Sequence, residues 1–310
     1  MRTLHPIALT AGLALVFAGC ADDTIPAEPE PAEQTAPIEP EPEAEEPEEV
    51  TRADEPEAEP PALAAEIGAP TADPATPAMP DPADPGNPDD YDFHEDWSDG
   101  IDPDKWLVAG WREHNMQTGP ERTYVEDGKL NMVFVNDSED GWLGAALQTQ
   151  KEDFGYGRWE AALKPSSVPG VLNSMYTIDW RDGEGTKQEI DIEFLTHTFD
   201  GEEHPGEMWI ALHAADREST HFSQPLTFNP SEEFNVFGWD ITPTHIDYLV
   251  NGETIYRFVY EEHDITFDAP YMLKFNVWTS ESPWIQGPPE PDVETVYQVD
   301  WIRFKARDEQ

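Results

Sequence analysis

From Tyr91 onward the chain consists of short runs of β-branched and aromatic residues separated by turn signals. The run 129–135 follows Asp127-Gly128, and the runs 245–250 and 254–258 flank Asn251-Gly252, which is the signal of a two-residue β-hairpin turn. No segment longer than about 10 residues repeats its apolar residues with the 3.6-residue period of a helix. The pattern predicts an all-β chain folded as an antiparallel β-sandwich.

Residues 21–90 have a different composition from the rest of the chain. They hold 17 of the 31 prolines and 22 acidic residues, against one base, Arg52, and no aromatic residue. Such a segment cannot bury an apolar core, and proline together with repelling charges favours an extended chain. We expect 21–90 to be a disordered acidic linker that acts as a spacer, with a filler of no specific role as the alternative. The folded domain is then expected over 91–310.

Residues 1–20 resemble a secretory signal. Arg2 precedes an apolar stretch, 7–17, that is too short to span a bilayer as a helix, and the segment ends in Ala18-Gly19-Cys20. This ending is similar to a bacterial lipobox, in which the cysteine is acylated and becomes the new N-terminus. We expect an extracytoplasmic protein that is lipid-anchored to a bacterial membrane through Cys20; the alternative is an ordinary secretory signal. Cys20 is the only cysteine, so no intrachain disulfide can form.

Acidic residues outnumber basic residues by 66 to 17, which gives a formal charge of −49. This balance excludes the nucleic-acid binders that neutralise phosphates with a basic surface. The range 91–310 alone holds 44 acids and 15 bases, a net charge of −29. Since acidic surfaces stay hydrated in concentrated salt and repel copies of themselves, we expect a monomer and hypothesise a marine or halophilic source.

One strand candidate, QEIDIEF at 188–194, carries three acids on one face. Alternate side chains of a strand share a face, so Glu189, Asp191 and Glu193 point one way and the apolar residues between them point the other. A row of like charges costs stability through repulsion, which favours a functional reading. The alternative is chance, because such a pattern turns up roughly once in four domains this acidic.

Two carboxylates on opposite sides of a bond suit the cleavage of a glycoside. The Cα atoms of Glu189 and Glu193 lie ~13 Å apart along an extended strand. Side chains that lean together bring the carboxyl groups to roughly 5–6 Å, near the separation in retaining glycosidases. One carboxylate attacks the anomeric carbon, while the other protonates the leaving oxygen and later activates water. Asp191 between them helps keep a proton on one of the two glutamates.

The range 93–304 resembles glycoside hydrolase family 16, whose signature is Glu-x-Asp-x-Glu on a strand of a concave sheet. The matching stretches occur in the family's order: FGYGRWE at 154–160, EIDIEFL at 189–195, YLVNG at 248–252, NVW at 276–278 and VDWIRF at 299–304. The resemblance implies a concanavalin-like jelly roll with a concave substrate cleft. It also implies that Glu189 is the nucleophile, Asp191 the assisting acid and Glu193 the acid/base.

The resemblance extends to substrate and metal. No extra residue stands between Asp191 and Glu193, as in the lichenases and xyloglucan-active enzymes, which points to β-1,3-1,4-glucan. No cofactor is required, but the family's structural Ca²⁺ would be held by the Asp300 side chain and by backbone oxygens at Asp96 and Gly128. A plain turn-facing aspartate is the alternative for Asp300.

Some residues that the resemblance places near the cleft depart from the lichenase type. Lys187 stands where a tryptophan is expected, Leu143 and Ala145 align with a Glu-x-Arg pair, and His213 matches a tyrosine. The remaining candidates for substrate binding are the following: Trp111, Asn276, Trp278, Trp284 and His213. Each has a structural alternative, which is core packing for a tryptophan, a sheet-edge amide for Asn276 and a satisfied cleft-side histidine for His213.

Three functions are compatible with these residues. The first is a retaining endo-β-glucanase; the second is a transglycosylase or an enzyme of another family-16 specificity, for laminarin, xyloglucan or a marine galactan. The third is a non-catalytic carbohydrate-binding lipoprotein; the presence of all three acids speaks against it, and the departures at Leu143, Ala145 and Lys187 keep it open. The sequence contains no phosphate-cradling Gly-rich loop and no histidine pair at zinc-ligand spacing. The remaining histidines noted, His114, His204 and His221, are interpreted as surface residues.

Overall fold

The structure is a computed structural model that describes residues 79–113, 116–181, 185–199, 201, 205–215, 219–268 and 270–307. These belong to one compact unit, Ala69–Gln310. The signal with Cys20, the linker up to residue 78, His114, His204 and the side chain of Lys187 lie outside the described residues. No helix within the described ranges is long and apolar enough to cross a bilayer.

The described residues form seventeen strands and one short α-helix. The first nine strands are β1 (Phe93–Glu95), β2 (Trp106–Val108), β3 (Arg112–Glu113), β4 (Met116–Thr118), β5 (Thr123–Glu126), β6 (Lys129–Asp137), β7 (Gly141–Thr149), β8 (Gly157–Lys164) and β9 (Leu172–Arg181). The others are β10 (Gly185–Leu195), β11 (Gly206–Ala214), β12 (Thr220–Leu226), β13 (Asn235–Ile241), β14 (His245–Val250), β15 (Glu253–Val259), β16 (Met272–Trp278) and β17 (Val293–Ala306). The helix, α1 (Tyr260–His263), follows β15.

The strands make two sheets, so the predicted all-β antiparallel sandwich is confirmed. The groove sheet has the order β12-β11-β10-β9-β16-β7-β2. The back sheet has the order β15-β14-β13-β8-β17-β6-β5. Strand β7 belongs to both sheets, because its first half pairs with β6 and its second half with β16 and β2. Every pairing is antiparallel except that of β4 with β7.

The core lies between the two sheets. Ile190 and Ile192 of the groove sheet and Trp239 of the back sheet are fully buried in one cluster. Phe194 meets Phe237 across the interface with ring centroids 4.8 Å apart. Burial of these rings and aliphatic chains is the main source of the sandwich's stability.

The hairpin predicted at Asn251-Gly252 is present between β14 and β15. Asn251 has φ 49° and Gly252 has φ 82°, the positive values that a type I′ turn requires at both central positions. Asn251 also donates through its side chain to Asn235 Oδ1 at 2.9 Å and so ties the turn to β13.

Residues before 91 also contact the back sheet. The indole of Trp301 donates to the carbonyl of Pro82 at 2.7 Å, and the guanidinium of Arg303 donates to the carbonyl of Pro85 at 3.5 Å. This segment therefore packs on the outer face of the back sheet. The linker boundary at residue 90 stays a prediction.

Candidate active site

Strand β10 presents its acids on the outer face of the groove sheet. The apolar residues between them, Ile190, Ile192 and Phe194, have no exposed surface and lie in the core. Glu189, Asp191 and Glu193 instead line a groove of about 1080 Å³. The face predicted from the two-residue period is confirmed. Alternate side chains of a strand point to opposite faces, so burial of the apolar residues in the core places the acids on the groove face.

The signature segment pairs regularly with its neighbour. From Gln188 to Leu195 the residues of β10 oppose those of β9 one for one, and the register shift lies before this stretch, between Thr186 and Gln188. The three acids therefore alternate without a bulge and share one face.

The groove crosses the whole groove sheet. Its lining includes Leu107 of β2 at one edge and His221 of β12 at the other, with Asp191 of β10 between them. Six inter-strand spacings separate those edges, a length of ~29 Å. The acids therefore lie inside the groove, with two inter-strand spacings between them and the β12 edge and four between them and the β2 edge.

Burial governs the protonation of the central acids. Asp191 is 4% exposed, and burial raises its pKa well above the usual range, helped by the charges of Glu189 and Glu193 and by a hydrogen bond with Glu189. Burial, followed by the charge of Glu189, raises the pKa of Glu193 to about 8. Burial therefore favours the protonated form of both carboxyl groups.

His213 lies opposite Glu189 in β11. Its Nε2 is 3.4 Å from Asp191 Oδ2, and its Nδ1 is 2.5 Å from the Ser219 hydroxyl. The first distance is long for a hydrogen bond, and Asp191 Oδ2 has no hydrogen-bond partner among the described residues. Burial and the neighbouring His221 lower the pKa of His213, so its ring is neutral at neutral pH.

Asn276 lies on the groove floor inside a polar cluster. Its Oδ1 accepts a short hydrogen bond from the Ser174 hydroxyl, and its Nδ2 donates to the Tyr176 hydroxyl at 3.4 Å. All three side chains are buried, with at most 6% exposed. The cluster fixes the amide in one orientation, and Ser174 of β9 lies between Asn276 in β16 and Glu193 in β10.

The predicted tryptophans all line the groove. Trp278 and Trp284 pack together with ring centroids 6.4 Å apart, whereas Trp111 is 37% exposed. Trp209, which the sequence did not single out, lies opposite Glu193 in β11 and packs against Trp284 at 6.0 Å. Aromatic faces of this kind stack on the apolar C–H patches of sugar rings.

Some groove residues were not predicted as such. Tyr176, Lys274 and His221 line it, although His221 was interpreted as a surface residue; it is exposed and forms part of the groove wall. The alignment that placed Ala145 in the cleft is wrong. Ala145 is fully buried in the core, and Gln148 is the β7 residue that lines the groove.

The side chains of Asp300 and Asp96, two of the residues predicted to hold calcium, already have partners in the protein. Asp300 Oδ1 lies 3.7 Å from Lys129 Nζ, so a lysine ammonium is already its counter-ion. Asp96 accepts a hydrogen bond from the Ser98 amide at 3.1 Å. No group of three or more His, Cys, Asp or Glu side chains within the described ranges could hold a metal. Ca²⁺ takes six to eight oxygen ligands, and its binding by Asp300 with backbone oxygens at Asp96 and Gly128 stays a prediction.

Comparison with protein families gives one match across most of the domain. The model for glycosyl hydrolases family 16 matches residues 111–303, which contain the whole groove strand β10.

Individual relatives share sequence and fold with the chain. A "Beta-glucanase" from Acetivibrio thermocellus is 27% identical over 163 residues, which are 51% of this chain and 46% of that protein. The chain thus spans about half the length of this relative. A "Beta-glucanase" from Brevibacillus brevis is 27% identical over 218 residues, 66% of this chain and 79% of that protein. A prokaryotic β-1,3-1,4-glucanase (lichenase) from a mouse hindgut metagenome superposes with a TM-score of 0.60 at 25% identity, covering 69% of this chain and 99% of that one.

Proposed function

Since the chain belongs to glycosyl hydrolases family 16, we propose that it is a retaining, endo-acting β-glucan hydrolase that cleaves O-glycosidic bonds within a polysaccharide. The observation that carries the proposal is the row of three acids on the groove floor, in which Glu193 has a pKa of about 8. A carboxylic acid that keeps its proton at neutral pH can serve as a general acid, and an ionised carboxylate beside it can attack.

The proposed reaction has two steps. In the first, Glu189 attacks the anomeric carbon as Glu193 gives its proton to the departing glycosidic oxygen, which leaves a glycosyl ester on Glu189. In the second, the Glu193 carboxylate takes a proton from water, and that water displaces Glu189 from the anomeric carbon. Asp191, whose pKa is raised by burial and which is hydrogen-bonded to Glu189, helps to stabilise the carboxylate of Glu189 before attack and after release.

The shape of the groove supports cleavage inside a chain. Because the groove runs ~29 Å across the sheet with the acids between its edges, sugar units can bind on both sides of the cleaved bond. We propose that Trp278 and Trp284 stack on units near Glu193, that Trp111 stacks on a unit at the far edge, and that Asn276 and His213 hydrogen-bond sugar hydroxyls.

Mixed-linkage β-1,3-1,4-glucan is the substrate we propose. The unbulged pairing of β10 supports it, since this form of the signature is typical of lichenases. The mouse hindgut lichenase, a β-1,3-1,4-glucanase, is similar in structure over 69% of the chain, which also supports it.

The test is release of reducing sugar by the full chain from barley glucan, laminarin, xyloglucan, agarose and carrageenan, with product sizes. We expect release from barley glucan, and we expect Glu189→Gln to abolish turnover while glucan binding persists. Glu253→Gln, an exposed acid on β15 in the back sheet, is the matched control and should leave turnover unchanged. Products longer than the substrate would indicate a transglycosylase. If the wild-type chain bound a polymer but turned over none of the five, the result would indicate a carbohydrate-binding protein.

We also propose that the enzyme is held outside the cytoplasm by a lipid on Cys20, which the ending Ala18-Gly19-Cys20 supports. Labelled palmitate fed to a bacterial host that expresses the full chain should be incorporated into the protein. Cys20→Ser should abolish the incorporation, and label retained by this variant would contradict the anchor.

A further inference from the structure

The charge of the groove away from the three acids is opposite to that of the domain. Among its described lining residues outside β10, the permanently charged ones are two cations, Arg112 and Lys274, and one acid, Glu152. The range 91–310 as a whole has 44 acids and 15 bases. The two cations therefore lie along the groove, which is the path proposed for the substrate chain.

Lys274 is the cation on the groove floor. Its side chain is half-buried, and its ammonium lies 5.3 Å from the ring centroid of Tyr176. No carboxylate of the described residues lies within ion-pair distance of it. Four other described lysines each lie within 3.7 Å of an Asp or Glu oxygen, namely Lys105, Lys129, Lys151 and Lys305, whereas Lys164, at the end of β8 in the back sheet, has no such ion pair with a described residue. A partly buried ammonium that has only a ring beside it is available to an incoming anion.

The register places Lys274 at a definite distance from the acids. Asp191 lies opposite Tyr176 in β9, and Tyr176 lies opposite Lys274 in β16. Two inter-strand spacings therefore separate Lys274 from Asp191, about 10 Å. A group held by Lys274 belongs to a sugar unit beside the cleaved bond and is far enough from the acids to escape most of their repulsion.

We propose that the groove selects a β-glucan chain that carries an anionic substituent, a sulfate ester or a carboxylate, and that Lys274 is its counter-ion. The inference rests on the proposed function and names the substrate class of the same site. A lysine ammonium offers three donors to oxygens of either group. Arg112, after β2 on the same side of β10, adds positive charge further along the groove.

The test uses one polymer in three forms: barley glucan as it is, the same glucan partly carboxymethylated, and the same glucan partly sulfated. Binding is measured with the full-length Glu189→Gln protein, and turnover with the wild-type chain. Each is repeated with Lys274→Met and with Lys151→Met. Lys151 is the matched control, because its ammonium also lies over a ring, 4.8 Å from the centroid of Phe154, but outside the groove.

We expect at least one charged form to bind about tenfold more tightly than the neutral form, as a charge-assisted hydrogen bond provides. Lys274→Met should abolish the tighter binding of the charged form, and Lys151→Met should leave it unchanged. A preference for the sulfated or for the carboxymethylated glucan identifies the source of the anion. Equal binding of all three forms, or a preference for a charged form that persists in Lys274→Met, would overturn the inference. Turnover of the neutral glucan would still support the proposed function in that case. Lysine-dependent preference without turnover of any form would support the inference and contradict the hydrolase.

Discussion

Burial of the Glu193 carboxyl, more than the charge of Glu189, raises its pKa to about 8. An unperturbed glutamic acid has a pKa of about 4.3 and is ionised throughout the neutral range. Its position on β10, one face in the core and one in the groove, is what gives this glutamate a proton to donate.

The pH profile of the reaction tests this assignment. Since Glu193 must be protonated for the first step, kcat/KM on barley glucan should fall as the pH rises through about 8. Glu193→Gln should lower kcat/KM by roughly 10² to 10⁴. A basic limb at pH 6 or below would contradict the role of Glu193 as the acid.

Asp300 provides a second prediction at the scale of a residue. Burial raises the pKa of Asp300, and the neighbouring Lys129 opposes that rise. Because Lys129 supplies the counter-charge, we expect a chelator to leave the Tm unchanged, and Lys129→Ala to lower stability by at most ~1 kcal/mol, as for a partly exposed pair. A Tm that calcium raises by several degrees and a chelator lowers again would contradict this account of Asp300.

At the scale of the element, Gln188 ties β10 to the segment before β16. Its Nε2 donates to the Thr266 carbonyl at 2.8 Å, while its Oε1 accepts from the Asp268 amide at 3.0 Å and from the Tyr271 hydroxyl at 2.7 Å. These bonds hold β10 close to the start of β16, the strand that carries Lys274 and Asn276.

Loss of this tie should be measurable. Gln188→Leu should lower the free energy of unfolding by about 1–2 kcal/mol in urea titration, because it removes three hydrogen bonds. Gln150→Leu, which removes a single exposed bond to the Pro103 carbonyl, is the control and should change stability by less than about 0.5 kcal/mol. Equal effects of the two variants would show that Gln188 does not tie the strands.

The buried face of a strand could be predicted from the sequence only where apolar and polar residues alternate along it. In β10 acids alternate with Ile190, Ile192 and Phe194, so the sequence itself identifies the buried face. In β7 the run from Ala145 to Leu147 is buried on both faces and does not alternate. Its groove face could not be read from the sequence, which is why Ala145 was assigned to the wrong side.

At the scale of the whole molecule, the composition of the groove depends on the register between distant strands. Tyr176 and Asn276 are 100 residues apart and meet through the pairing of β9 with β16. Nothing in the residues around Lys274 indicates that it lies in line with Asp191. The order of the strands could be expected from the family resemblance, but these contacts come only from the folded structure.

The domain's charge predicts how it responds to salt. With a net charge of −29 over 91–310, self-repulsion weakens the compact state at low ionic strength. We expect the Tm to rise as NaCl is increased from 0.05 to about 0.5 M, over which the Debye length falls below about 5 Å, and the protein to stay soluble at higher salt. Aggregation at high salt would contradict the proposed salt adaptation.

The central claim is that Glu189 and Glu193 cleave a β-glucan through a glycosyl-enzyme. The most direct test is the NMR spectrum of the new reducing end during the first minutes of barley glucan hydrolysis by the wild-type chain. Two displacements at the anomeric carbon predict that the β-anomer forms first and then mutarotates. Initial formation of the α-anomer would mean a single displacement by water and would contradict the roles assigned to Glu189 and Glu193.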